Sequence, residues 1–286
     1  MQLSKLAFER KVTNWAKAHG QKSEFINRTI ANIVLAQLIM QIDSSSKFRN
    51  FVKGGTGILL RRGLASGRAT GDLDMTMNLE RQEITEFVKG LNKTTWGSFC
   101  VAGVRELPDK TKSNIPEDFR IKEFRVQLAF GESAWRTAIL EVSREEFATP
   151  DLSSEEYVDD EIFELFRYLD LQAPSVIRLI PIELQIAHKL HAMSAPNSVR
   201  GHDIYDVHLL SLEANLDMPL LARQVGRTFS YRSQHSWTKS ISPSAEFKQT
   251  FNDEVMDIPN APTFEEALAT VLNLMAQIDP YLTERK

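Results

Sequence analysis

The sequence predicts an α+β fold: a mixed sheet with flanking helices in the first half, followed by a helical second half. Three observations predict it. Strand-like alternation recurs between residues 48 and 142, helical periodicity dominates after Pro181, and a stretch crowded with acids lies between them. At 286 residues and 42% apolar content, the chain is large enough for one large domain or two modest ones of roughly 100–200 residues. The expected division is 1–174 for the sheet-bearing part with its N-terminal helices, and 175–286 for the helical part.

The N-terminal string MQLSKLAFERKVTNWAK lacks the apolar centre of a signal peptide. Residues 22–42 read as a helix with Ser23 at its cap and Ile30, Val34 and Leu38 at helical spacing. Its apolar part carries Asn32, Gln37 and Gln41 and falls short of the roughly 20 apolar residues of a membrane span. A buried helix is therefore expected, in a cytoplasmic protein with no membrane partner. The run 48–53 ends at Gly54-Gly55 as a strand does when it breaks into a turn, and 58–62 looks like the opening of a helix. After a loop of small residues, Asp72 to Met77 alternates as a strand with one buried face. Residues 80–91 are helical in pattern, and 96–104, 119–130 and 135–142 read as three strands of one meander. The acidic stretch, 145–170, is expected as an exposed excursion, a helix or a loop on the surface. A short strand, 175–179, leads to Pro181, well placed in the first turn of a helix. Helices are then expected at 181–193, 201–213, 217–228, 243–253 and 263–281.

One cysteine, Cys100, excludes an intrachain disulfide, and no Cys/His spacing resembles a zinc site. The net charge of −4 argues against a general nucleic-acid binder. Its distribution is uneven: residues 1–71 hold twelve Lys or Arg against three acids, an excess of nine, so the remainder carries −13. Such asymmetry suggests a basic surface for phosphates, although scattered solvated lysines produce it equally.

Asp72 and Asp74 stand two apart, so on a strand both point to one face, about 7 Å apart at the backbone. Two carboxylates so placed repel unless a cation sits between them, and Mg²⁺ prefers such oxygens. Ahead of them, Lys53-Gly54-Gly55-Thr56 joins a strand to a helix, and Arg68-Ala69-Thr70-Gly71 leads into the acids. Backbone N–H groups at a glycine turn opening a helix form an anion site. Paired glycines also simply make turns, and acids two apart also occur by chance. Taken together, a phosphate cradle and metal-binding acids point to phosphoryl or nucleotidyl transfer.

The string KGGT, eleven residues, then RATGDLD resembles the fingerprint of the DNA polymerase β-like nucleotidyltransferase superfamily, and within it the AbiEii branch that includes the MenT-type toxins. The resemblance implies a polymerase β-like mixed sheet, an NTP substrate held at Lys53, Gly54, Gly55, Thr56, Arg68 and Thr70, and one or two Mg²⁺ ions on Asp72 and Asp74. A third carboxylate is usual there on a neighbouring strand; Glu141, alternating with Leu140 and Val142, is the candidate. The second half offers a further match: the helix around Lys189, followed by Arg200-x-x-Asp203-x-x-Asp206.

Asp203 and Asp206 fall on one helical face with Arg200 near it. Lys189 is suited to a triphosphate oxygen. Asp206 would orient it or help activate an acceptor hydroxyl, and Asp203 would pair with Arg200. A structural ion-pair network fits the same spacing. His188, His191 and His202 are expected as partly exposed packing residues, since a hard-metal oxygen site requires no imidazole. By resemblance the acceptor is RNA, the tRNA 3′ end in MenT-like toxins, so that translation stops, and a cognate antitoxin is the implied partner. Arg61, Arg62 and the basic N-terminal region are candidates for the RNA backbone. Acceptors of other kinds, a small molecule or a protein hydroxyl, and a nucleotide-binding module without catalysis, stay open at this point.

Overall fold

A computed structural model describes residues 3–43, 49–68, 70–108, 120–146, 155–212 and 216–283. It divides into two compact units, Met1–Leu179 and Ile180–Lys286. In chain order the first contains α1 (Lys5–Ala18), α2 (Ser23–Asp43), β1 (Asn50–Lys53), α3 (Gly54–Ser66), β2 (Asp72–Met77), α4 (Arg81–Gly90), β3 (Thr95–Trp96), β4 (Phe99–Glu106), β5 (Lys122–Phe130), β6 (Ser133–Arg144), β7 (Glu155–Tyr157), α5 (Asp160–Tyr168) and β8 (Ile177–Leu179).

These strands make one mixed sheet in the order β3-β4-β5-β6-β2-β1-β8-β7. The meander expected from alternation is β4-β5-β6, antiparallel throughout. β2 is inserted between β6 and β1, parallel to the former and antiparallel to the latter. The alternation in β2 buries Leu73 and Met75 completely and leaves Asp72 and Asp74 partly exposed on the other face.

α2 is buried on nearly every side: Ile26, Ile30, Ile33, Val34, Leu35 and Ile39 have no exposed surface. A helix apolar all round belongs in a core. Ser23–Ile42 is also long and apolar enough, by composition, to cross a membrane, yet 72% of that window is buried within the protein. Its apolar surface is used in packing. Gln37, an expense in such a place, is satisfied by Ser175, whose carbonyl lies 2.7 Å and hydroxyl 2.6 Å away.

Two differences from the expected elements, the start of α3 and the strand β7, concern local chemistry. α3 begins at Gly54 instead of near residue 58, because Gly54, at φ +63°, turns the chain directly from β1 into the helix. The acidic stretch contains β7, which pairs with β8, and then α5, capped where the Asp159 side chain accepts from the N–H of Glu161. The part of that stretch at 147–154 lies outside the described residues, as do Phe48 and Phe119 at the starts of two expected strands, Ala69, and residue 213 at the end of an expected helix.

The second unit is helical: α6 (Ile182–Met193), α7 (His202–Ser211), α8 (Met218–Arg232), α9 (Ala245–Val255) and α10 (Phe264–Thr283). α6 packs on α7 and α8, α10 covers both, and α9 lies against α7. The start of α7 approaches α9 so closely that a Cβ on Gly201 would stand 1.8 Å from the Phe247 carbonyl oxygen. Thr250 secures the contact, its hydroxyl accepting from the N–H of Gly201 at 2.9 Å.

Candidate active site

β1 ends at Lys53, directly opposite Asp74 in the register with β2, and Asp74 in turn stands opposite Glu141 on β6. Cross-strand partners share a face of the sheet, so Lys53, Asp74 and Glu141 form a row, with Asp72 on the same face two residues along β2. Asp72, Asp74 and Glu141 are each partly exposed. The Lys53 ammonium reaches across β2 to donate to the Ser143 hydroxyl at 2.8 Å. A cation therefore borders the row of acids.

Immediately after Lys53 the chain turns into α3. The first turn of a helix leaves N–H groups without intrahelical partners and carries the positive end of the helix dipole. Gly54 is required here by space as well as by φ: an added Cβ would lie 1.9 Å from the Asp74 Oδ2 and 2.7 Å from its Cγ. Gly55 is also confined, with the Thr70 side chain 3.0 Å from where its Cβ would be and the Arg68 Nη2 at 3.6 Å. Tertiary packing thus sets the glycine turn beside Asp74 and Thr70 beside Asp72.

Asp72 is held from three sides. Its carbonyl oxygen accepts from Asn32 Nδ2 at 3.0 Å and from the Thr56 hydroxyl at 3.1 Å, and the Thr70 hydroxyl donates to its carboxylate at 3.0 Å. Asn32 also donates to the Thr56 oxygen at 3.1 Å. Thr56 is 2% exposed, and its hydroxyl serves the strand. Asn32 was not legible as a site residue. Its signal was a polar side chain in the middle of an apolar helix, which requires a buried partner.

The donor set fits a hard divalent cation: carboxylates on one face of adjacent strands are the oxygens Mg²⁺ prefers. The side chains themselves are turned apart, Asp72 towards Thr70 and Asp74 against Gly54. Among the described residues no three His, Cys, Asp or Glu side chains gather closely enough to hold a metal ion.

In the second unit Lys189, on α6, donates to Asp203 Oδ1 at 2.8 Å and to Asp206 Oδ2 at 2.5 Å. Arg200 closes the cluster through Nε to Asp203 Oδ2 at 2.5 Å. The i, i+3 spacing on α7 aims both acids at one ammonium. Both aspartates have no exposed surface, and Lys189 retains 7%. Burial alone would raise the Asp203 carboxyl, but Lys189 and Arg200 outweigh it and hold it below the ordinary carboxylate range. Two cations balance two anions. Both acids are thus enclosed against the Lys189 ammonium.

Two expectations are corrected here. His191 is 2% exposed instead of partly exposed, because α6 is covered on nearly all sides. Arg61 is 9% exposed, facing inward from α3, and so does not form an open clamp for a phosphate backbone; Arg62 is half-buried.

The model of a family described as nucleotidyl transferase AbiEii toxin, type IV TA system, matches residues 34–277. Among solved structures, the nucleotidyltransferase toxin MenT4 from Mycobacterium tuberculosis H37Rv superposes with a TM-score of 0.54 at 14% identity, covering 98% of each chain. An antigenic nucleotidyltransferase-like protein from Paracoccidioides brasiliensis matches with a TM-score of 0.42 at 14% identity, covering 90% of this chain and 92% of that one. At such identity the MenT4 match speaks for the fold, a mixed sheet with flanking helices. No curated protein matches the sequence.

Proposed function

This chain belongs to the AbiEii family of nucleotidyl transferase toxins of type IV toxin–antitoxin systems, and we propose that it transfers a nucleoside monophosphate from an NTP to an RNA hydroxyl, the tRNA 3′ end, in the cytoplasm. The observation that supports this best is the meeting of Gly54 with Asp74, where the first turn of α3 touches the acids of β2. A triphosphate laid along Gly54, Gly55 and Thr56 would have backbone N–H groups on its oxygens. Lys53 and Arg68 would add positive charge beside it, and Thr70 would hold Asp72 in place. Lys189 is the proposed cation of the second unit, oriented by Asp203 and Asp206, with Arg200 fixing Asp203.

Mg²⁺ would be held by Asp72 and Asp74, with Glu141 as the third carboxylate, and when bound would supply charge neutralisation and a more acidic acceptor hydroxyl. In the transfer the acceptor oxygen bonds to the α-phosphorus, the bond to the β-phosphate oxygen breaks, and pyrophosphate departs. Blocking the tRNA 3′ end in this way would stop translation, and the cognate antitoxin implied by the family would restore it.

The test is incubation of the purified protein with total RNA, Mg²⁺ and each α-labelled NTP in turn, with Asp72→Ala as control. Label on tRNA-sized RNA that vanishes in the variant is expected. Pyrophosphate release with label on protein or on a small molecule would retain the chemistry and replace the acceptor. Label incorporated equally by Asp72→Ala would sink the site assignment.

A further inference from the structure

The second unit carries a cavity of about 480 Å³ that none of the transfer residues lines. Its size falls in the range of small-molecule sites, roughly 300–1,000 Å³. Three of its nine lining residues, Phe229, His235 and Trp237, are aromatic. Phe229, near the end of α8, stands edge-on to both His235 (5.1 Å, 88°) and Trp237 (5.4 Å, 80°). These rings are fixed by the protein itself. The two ring nitrogens of His235 lie 3.2 Å from the Ser236 carbonyl oxygen and 3.0 Å from that of His191, whose ring it stacks on at 4.5 Å. The Trp237 indole N–H donates to Asp279 at 3.3 Å. Ser230, Ser233 and Ser236 add hydroxyls to the lining. Aromatic rings interleaved with hydroxyls suit a planar heteroaromatic ring that carries hydrogen-bonding edges.

Charge specifies the occupant further. From Met218 to Ala245 the sequence contains no acid, and it holds Arg223, Arg227, Arg232 and Lys239, in a chain whose net charge is −4. Along α8 the lining residues Val225, Gly226, Phe229 and Ser230 form one stripe. At 3.6 residues per turn Arg223 and Arg232 fall about a quarter turn to either side of it. Asp279, which meets Trp237, is offset by Lys239 at 2.6 Å. An aromatic slot flanked by cations is the arrangement by which proteins hold unstacked bases on a charged strand.

We propose that this cavity takes one unstacked base of a single-stranded RNA, with Arg223 and Arg232 on the adjoining phosphodiesters. The assignment rests on the reading that the acceptor is RNA, and it gives the second unit a part in holding that acceptor. No bond is made or broken there.

The test is equilibrium binding of a short, unstructured, fluorescently labelled ribo-oligonucleotide to the full chain, without NTP, over a series of salt concentrations. Trp237→Ala is expected to weaken binding roughly ten- to a hundredfold, the range of one base–aromatic stack, and Trp237→Phe to retain most of it. Ser230→Trp, at an exposed position on the rim, should fill the cavity and weaken binding as much without disturbing the core. Arg223→Ala should lower the slope of log affinity against log salt by about 0.7. Wild-type affinity in both Trp237→Ala and Ser230→Trp overturns the cavity assignment and leaves the RNA reading intact. A wild-type chain that binds no RNA overturns both. An NTP affinity that falls in Trp237→Ala while RNA affinity holds gives the cavity to the free nucleotide, and the single-strand assignment is lost.

Discussion

Two pairs of aspartates, Asp72 with Asp74 on β2 and Asp203 with Asp206 on α7, look alike in sequence and are treated in opposite ways by the fold. The strand pair is partly exposed, on a face that also carries Glu141, beside the opening turn of a helix. The helix pair is fully buried, and its charge is cancelled on the spot by Lys189 and Arg200. Carboxylates that a protein neutralises internally contribute to its stability or hold a neighbour in position. Carboxylates set on a partly exposed face offer their oxygens to a cation from solvent. Exposure therefore separates the pair proposed to meet the substrate from the pair proposed to position Lys189.

The comparison can be broken most directly at Asp72. Asp72→Ala is expected to lower transfer roughly 10²–10³-fold or more, the scale of losing a main electrostatic group, while the thermal midpoint moves by only a few degrees. A large fall in midpoint would show the strand pair to be structural after all. The reverse outcome is expected at Lys189. Lys189→Ala leaves two buried carboxylates without their common ammonium, which should cost about 3–5 kcal/mol in denaturant titration. A variant of near wild-type stability would mean that the helix pair is not the neutralised cluster described above.

Gly54→Ala sharpens the contrast from the backbone side. A left-handed φ costs an alanine roughly 1–2 kcal/mol, and the new methyl must also displace the Asp74 carboxylate from a position 1.9 Å away. Transfer should fall more than the modest stability loss explains; equal activity at saturating NTP would remove Gly54 from the site.

The smallest effects are in acid. Asp203 has its folded pKa lowered from 3.8, so its contribution is fully present above about pH 4 and disappears as pH falls through the lowered value. Asp203→Asn should flatten that part of the acid-unfolding curve. Glu24, on the surface, is lowered from 4.5 to about 2, first by its hydrogen bond from Arg136 and then by that from Arg28. By the same sign its contribution is lost between about pH 4.5 and 2. Being solvated, it should matter far less, and Glu24→Gln is expected to leave the acid midpoint almost unchanged. A Glu24 effect as large as that of Asp203 would undo the distinction between buried and exposed acids.

The sequence by itself determined what depends on neighbours along the chain. The period of two placed Asp72 and Asp74 on one strand face, the period of 3.6 marked the helices of the second half, and the spacing from Arg200 to Asp206 put two acids on one helical face. Those patterns are local because backbone geometry repeats every few residues. Only the tertiary structure decided the rest. Glu141 comes beside Asp74 through the parallel register of β6 with β2, which no local period encodes. Asn32 becomes the support of Asp72 because α2 packs against that strand, and His191 is buried because α6 is enclosed. Strand register and helix packing are settled by burial of apolar surface over the whole chain. Two closely spaced aspartates can therefore finish on a partly exposed strand face or in a buried ion pair.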